Sequence, residues 1–256
     1  MITSAQNPRI KWLKALQSQA RLRREEKTFV VEGVRLVEEA LTAGWAARLV
    51  IHTEDLSERG RKVLEGFAEQ GAQIEAVSEP VLRAASDTRT PQGLLAALEW
   101  RDLPLPPKPD FVLIPDQIQD PGNLGTMLRS THAAGAQAAL LPPETTDAFA
   151  PKALRAGMGA HFRLPIHSLD WEAIRQYLAG VTILLAAVDE GLAYTRADLR
   201  APLALIVGSE AQGASQEARQ AAAGCLHIPL PGGSESLNAA VAAGILMFEV
   251  VRQRQL

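Results

Sequence analysis

The hydrophobic period of the chain changes many times, and each change marks an element. In "NPRIKWLKALQSQARLRREE" (7–26), Ile10, Leu13 and Leu16 recur at the spacing of one helical face. Asn7 as cap and Pro8 in the first turn mark where that helix starts. "TFVVEG" reads as a short strand, and "VRLVEEALTAG" as a helix closed by Gly44. The same reading gives strand "ARLVIHT", helix "ERGRKVLEGFAEQG", strand "QIEAVS", short helix "EPVLRAAS" and strand "GLLAALEW". This alternation predicts a small α/β layer domain over residues 1–103.

"RDLPLPPKPD" interrupts the pattern. Pro104, Pro106, Pro107 and Pro109 favour a stiff, extended segment, so 104–109 is read as a linker and 110–256 as a second domain. Here strand "FVLIPD" leads through a glycine-bearing loop to helix "NLGTMLRSTHAAG". "AQAALLP" is a strand, "PKALRAGMGA" helical and "FRLPIH" extended. "DWEAIRQYLAG" is a helix, "VTILLAAV" and "LALIVG" are strands, "SQEARQAAAG" is a helix and "CLHIPL" a strand. The last helix is "LNAAVAAGILMFEVVRQR". Runs such as "VTILLAA" do not alternate, which predicts strands covered on both faces, as in a parallel sheet.

Composition adds exclusions. The 256 residues are 47% apolar and 21% charged, as in soluble globular proteins. One cysteine, Cys225, excludes disulfides within the chain and cysteine-cluster metal sites, and suits a reducing cytosol. The first residues lack the apolar core of a secretory signal, and no apolar run has membrane-spanning length, so a cytoplasmic protein without membrane association is expected. Net charge is −3, yet Arg9, Lys11, Lys14, Arg21, Arg23 and Arg24 occupy residues 1–24 without any acid. That cluster fits an electrostatic footprint for nucleic acid and equally a solvated helix face.

A dinucleotide-binding oxidoreductase would need G-x-G-x-x-G between a first strand and its helix, and the chain has neither that motif nor a Walker A sequence. It has instead three strand-to-loop transitions with polar residues just past an apolar strand. These are "DQIQDPGNLGTMLRS" with Asn123 and Arg129, "LIVGSEAQG" with Gly208 and Glu210, and "LHIPLPGGSESLN" with Ser236 and Asn238. Ligands of open α/β sheets collect beyond strand carboxyl ends. Each residue also has a plain structural reading: Asn123 and Ser236 as helix caps, Glu210 as a first-turn acid, Arg129 as a surface cation. It is their joint occurrence at three such transitions that points to a polar ligand.

"DPGNLGTMLRSTHAAGA", "IVGSEAQGAS" and "IPLPGGSESLNAAVAAGI" resemble the three ordered motifs of the SpoU (TrmH-type) RNA 2′-O-ribose methyltransferases of the SPOUT superfamily. More loosely, "SAQNPRIKWLKAL", "FVVEGVRLVEEAL" and "TPQGLLAAL" resemble that family's N-terminal RNA-binding domain, which is similar to ribosomal protein L30e. The resemblance implies an L30e-like α/β domain followed by a SPOUT α/β domain with a parallel sheet and a deep trefoil knot. It implies S-adenosylmethionine (SAM) as methyl donor, no metal, RNA as substrate with ribosomal favoured over transfer RNA, and a homodimer through the C-terminal domain. Gly208, Ile228 and Leu237 match positions whose main chains contact SAM, and Arg129 matches the catalytic arginine. Asn123 and Glu210 would orient Arg129 or the ribose. Ser236 and Asn238 would shape the loop and bond the substrate or Arg129. The alternative is a non-catalytic RNA-binding protein with a vestigial SAM site. The departures from the motifs are mild: Ala211 replaces a frequent glycine, Ala239 a frequent valine and His132 a small residue.

Overall fold

In a computed structural model, residues 1–210 and 212–255 are described. Ala211, the motif departure, lies outside them. The contacts divide the chain into two compact units, Met1–Arg101 with Phe149–Phe162, and Asp102–Ala148 with Arg163–Leu256.

The first unit holds helices α1 (Pro8–Ser18), α2 (Ala20–Glu26), α3 (Val34–Thr42), α4 (Glu58–Glu69) and α5 (Glu79–Ala85), and strands β1 (Thr28–Glu32), β2 (Ala47–His52), β3 (Gln73–Ala76) and β4 (Leu94–Glu99). The strand order is β1-β4-β2-β3, antiparallel except for the β2–β3 pair. Asn7 caps α1 by accepting from Arg9 N–H at 2.9 Å. Ile10, Leu13 and Leu16 are fully buried against Val30, Leu49, Ile51 and Leu95 of the sheet. The helical run breaks at extended Gln19, and α2 turns back so that Arg23 is buried. Its guanidinium donates to the carbonyls of Leu16 and Gln17, which the end of α1 leaves unpaired. Helix α7 (Pro151–Gly157) and the tight turn Ala160–Phe162 pack in this unit although they follow the proline segment. Phe149 meets Phe29 at 4.9 Å, and Trp45 Nε1–H donates to the Phe162 carbonyl at 3.0 Å. The expected extended run "FRLPIH" is therefore strand only at its end.

The second unit is built on seven parallel strands: β5 (Phe111–Pro115), β6 (Ala138–Leu141), β7 (Ile166–Ser168), β8 (Thr182–Ala187), β9 (Leu192–Ala193), β10 (Leu203–Val207) and β11 (Gly224–His227). Their order is β7-β6-β5-β10-β8-β11-β9, every pair parallel. All residues of β5, β6 and β10 are buried, as expected for strands covered on both faces. Helices α8 (Trp171–Tyr177) and α9 (Gln216–Ala221) belong to one covering layer, where Trp171, Ile174 and Ala218 meet Val112, Ile114, Ala204 and Ile206. Helices α6 (Pro121–Ala133) and α10 (Ala239–Arg254) pack against β5, β6 and β10. No helix among the described residues is long and apolar enough to cross a membrane.

Two helix starts differ from expectation. Helix α6 begins at Pro121 and is capped by Asp120, which accepts from Asn123 N–H at 2.9 Å. Helix α10 is capped by Asn238, not Ser236; Asn238 Oδ1 accepts from the N–H groups of Ala240 and Val241. Asn238 has the non-helical φ and ψ of a cap (−53° and 135°), so the last residue of "SLN", not its first, reaches the orphan amides.

At the far end of α10, buried Glu249 accepts from Arg252 and from Gln253, and Gln253 also bonds the backbone of Ala197 and Leu199. The Arg252 hydrogen bonds, helped by Gln253, hold the Glu249 carboxyl at a pKa of about 2, down from the ordinary 4.5. The folded pKa lies below the unfolded one, so this stabilisation is complete above about pH 4.5 and is lost as pH falls toward 2. Glu249→Gln is expected to lower the urea midpoint at neutral pH and flatten its fall between pH 4.5 and 2, measured by denaturation at a series of pH values.

Candidate active site

The parallel sheet sends its loops to one edge, and the three motifs arrive there together. Glu210, two residues past Gly208, accepts at Oε1 from Asn123 Nδ2 at 3.1 Å, from Asn238 Nδ2 at 2.6 Å and from Ala239 N–H at 2.7 Å. Asn238 Nδ2 also donates to Asn123 Oδ1 at 3.1 Å. Because Asp120 caps α6, the Asn123 side chain is available for this network. The same pairing sets α6 beside α10. Asn123 meets Asn238, and Thr131 Oγ1 donates to Met247 Sδ at 3.6 Å, so the two helices run in parallel with their N-termini level. Helix α10 has no acid at its start, and Glu210 supplies the negative charge from outside; α6 has the carboxylate of its cap, Asp120.

Beside this knot of polar groups lies a cavity of about 460 Å³ at the carboxyl ends of β8, β10 and β11. Gly208, Ile228 and Leu237 all line it, as do Glu210 and Ser236. Gly208 stands where no side chain fits: a Cβ would come within 2.6 Å of the Gly213 carbonyl carbon. Arg129 lies six residues beyond Asn123, exposed on α6, with no hydrogen bond or ion pair among the described residues. The expected bonds from Asn123, Glu210 and Asn238 to Arg129 are absent there; those three side chains bond one another. Ser236 is exposed and likewise without a partner among the described residues.

The basic cluster disperses. Arg9 pairs with Glu75 and Arg21 with Glu25, while Lys11, Lys14 and Arg24 are exposed without an acidic partner among the described residues. Buried Arg23 drops out of any surface that could touch RNA.

Three features were missed from the sequence. The segment Ala186–Glu190 after β8 forms one cavity wall. Its signal was a strand end followed by Gly191, where a side chain would collide with the Cys225 carbonyl. Gln117 and Glu144, both left-handed (φ 54° and 65°), join two neighbouring loops through Gln117 Nε2 and Glu144 Oε2 at 2.9 Å. Asp116, fully buried, has its carboxyl pKa raised by burial, against the hydrogen bonds it receives from Ser215. Among the described residues no group of His, Cys, Asp and Glu could hold a metal ion.

A parallel α/β sheet with a glycine-walled cavity at its carboxyl edge, and an amide–carboxylate network beside it, defines a ligand-binding α/β protein. The SpoU rRNA Methylase family matches residues 110–248, and the MRM3-like substrate binding domain matches residues 7–96. The chain belongs to the SpoU rRNA methylase family. It is 34% identical to the 23S rRNA (guanosine(2553)-2′-O)-methyltransferase RlmP of Bacillus subtilis, over 97% of this chain and 98% of that protein. It is 29% identical to the 23S rRNA (uridine(2479)-2′-O)-methyltransferase of Streptomyces viridochromogenes, over 98% of this chain and 92% of that protein. The crystal structure of AdoMet-bound rRNA methyltransferase from Sinorhizobium meliloti superposes with a TM-score of 0.88 at 31% identity, covering 98% of this chain and 97% of that one.

Gly208→Ala is expected to displace the loop against Gly213 and cost about 1–3 kcal/mol, read as a lower urea midpoint at unchanged slope.

Proposed function

We propose that this protein is a SAM-dependent RNA 2′-O-ribose methyltransferase acting on ribosomal RNA in the cytoplasm. The observation that carries the reading is the meeting of Gly208, Ile228 and Leu237 on one cavity, next to the Asn123–Glu210–Asn238 network and with the guanidinium of Arg129 unengaged. The cavity suits SAM. Its size falls within the range of small-molecule sites, and Leu226, Ile228 and Leu246 offer an apolar wall for a purine. Asp189 and Glu210 line the cavity with carboxylates that can meet a sulfonium or an ammonium, and Arg219, paired with Glu190 at 3.4 Å, can exchange that partner for a ligand carboxylate. Both rRNA relatives support ribosomal RNA as substrate.

When bound, SAM supplies a methyl group that already carries its leaving group. The protein's task is to hold a 2′-hydroxyl in line with that methyl and to ease loss of its proton. Arg129 keeps its charge in essentially any protein setting, so it is assigned to gripping the adjacent phosphate and stabilising developing alkoxide. The proton then passes to phosphate or water. Asn123, Glu210 and Asn238 hold the floor from which Arg129 projects, and Ser236 offers its unengaged hydroxyl to the ribose. The deep trefoil knot belongs to this reading too; the placement of β10 between β5 and β8 is compatible with it.

A homodimer through the second unit accompanies the reading. Helix α10 exposes Val241 at 51% and Phe248 at 49%, one stripe seven residues apart, which a second copy would cover. On the first unit, Lys11, Lys14 and Arg24 are assigned to RNA phosphates, with Arg9 and Arg21 drawn in if they leave their acids. A non-catalytic RNA-binding protein with a vestigial SAM site is the lesser reading, because Asn123, Arg129, Glu210, Ser236 and Asn238 are all present.

Arg129→Lys keeps the charge and loses the fork, and is expected to lower methyl transfer to ribosomal RNA on the order of 10²-fold with SAM affinity by calorimetry unchanged. Near-normal methylation would remove Arg129 from its role. Methyl transfer undetectable in the wild type despite RNA binding would favour the lesser reading. Replacing Lys11, Lys14 or Arg24 by Ala should each reduce the slope of log affinity against log salt by about 0.7–1 in RNA-binding titrations.

A further inference from the structure

Asp116 is fully buried, and none of the three motif readings uses it. It stands one residue past β5, next to the end of β10. Its N–H donates to the carbonyl of Val207, the last residue of β10, at 2.9 Å. The chain then leaves through the loop 208–214 and returns to the same residue. Asp116 Oδ2 accepts from Ser215 N–H at 2.6 Å, and Oδ1 accepts from Ser215 Oγ at 3.2 Å. Ser215 Oγ accepts in turn from Ala218 N–H at 3.1 Å and so starts α9. Both ends of the loop are thereby closed onto one buried side chain and its backbone.

What lies between those ends is the cofactor wall and the carboxylate of the site. Inside the loop, Ser209 and Gly213 exchange backbone hydrogen bonds at 2.9 Å each, and Gly208 packs directly on Gly213. Glu210 follows Ser209 directly inside that pair, so a shift at the base of the loop moves Glu210. Asn123, Asn238 and the first amide of α10 all take their position from Glu210 Oε1.

We propose that Asp116 is a positioning residue for methyl transfer: by clamping both ends of the loop 208–214 it places Gly208 against the methyl donor and Glu210 between the two helix N-termini. The proposal rests on the cavity being the SAM site. A carboxylate suits the clamp because it accepts from a backbone amide and a hydroxyl at once. An amide of the same shape keeps only one acceptor oxygen, and a methyl keeps none. A buried amide left without its acceptor draws the loop toward water or another partner.

The test is calorimetric titration of SAM into the wild type, Asp116→Asn, Asp116→Ala and Ser215→Ala, each checked for folding by thermal unfolding without ligand. The expected order of affinity is wild type, then Ser215→Ala, then Asp116→Asn, then Asp116→Ala, the last weaker by at least about tenfold. With SAM saturating and the variants folded, kcat for RNA methylation should also fall, because Glu210 has moved. Asp116→Ala combined with Glu210→Ala should then lose no more than the worse single variant. If Asp116→Ala does not fold, Asp116→Asn and Ser215→Ala carry the comparison. Folded variants that bind SAM as the wild type does and keep kcat, with only a lower Tm, would make Asp116 a plain rivet and overturn the proposal. A wild type that does not bind SAM would overturn the functional reading, and this inference with it.

Discussion

One carboxylate oxygen, Oε1 of Glu210, accepts from two side-chain amides and one backbone amide that belong to two different helices. Three segments far apart in sequence are tied at that point: the start of α6, the loop after β10 and the start of α10. The tie suits the electrostatics of the place, since the α10 N-terminus ends there without an acid of its own and α6 has only its cap, Asp120. It also explains why α6 and α10 are level with each other.

The cavity beside that tie depends on backbone more than on side chains. Parallel pairing of β8, β10 and β11 puts their carboxyl ends on one edge, and the loops that leave them form the walls. Close approach of Gly208 to Gly213 leaves peptide groups as the inner surface. Such a wall offers N–H and C=O groups to a polar ligand, beside the apolar side chains of Leu226, Ile228 and Leu246. Buried Asp116 sits under this arrangement, and its raised pKa records the cost of placing a carboxylate where it can hold a loop.

The elements themselves were legible because their signals are local. Helical spacing of Ile10, Leu13 and Leu16, the Asn7–Pro8 start, and unbroken apolar runs such as "LALIV" each follow from covalent chain geometry and burial. Capping was less legible. Asn123 and Ser236 both have side chains suited to a cap, yet Asp120 and Asn238 perform it, because the choice depends on where each loop lets the backbone turn. The cluster of six cations looked uniform in one dimension; the bend at Gln19 buried Arg23 and sorted the rest by their neighbours.

Sequence alone determined most strands and helices in their order, though not β9 or the break at Gln19, and the family, since three glycine-bearing motifs in order specify its loop chemistry. It also named the residues that meet at the site. Only the tertiary structure decided which of them touch. Asn123 and Asn238 bond Glu210 rather than Arg129, Asp116 bonds Ser215, 99 residues later, and residues 149–162 pack with the first unit. Contacts between positions so far apart depend on sheet order and loop path, which no local periodicity encodes.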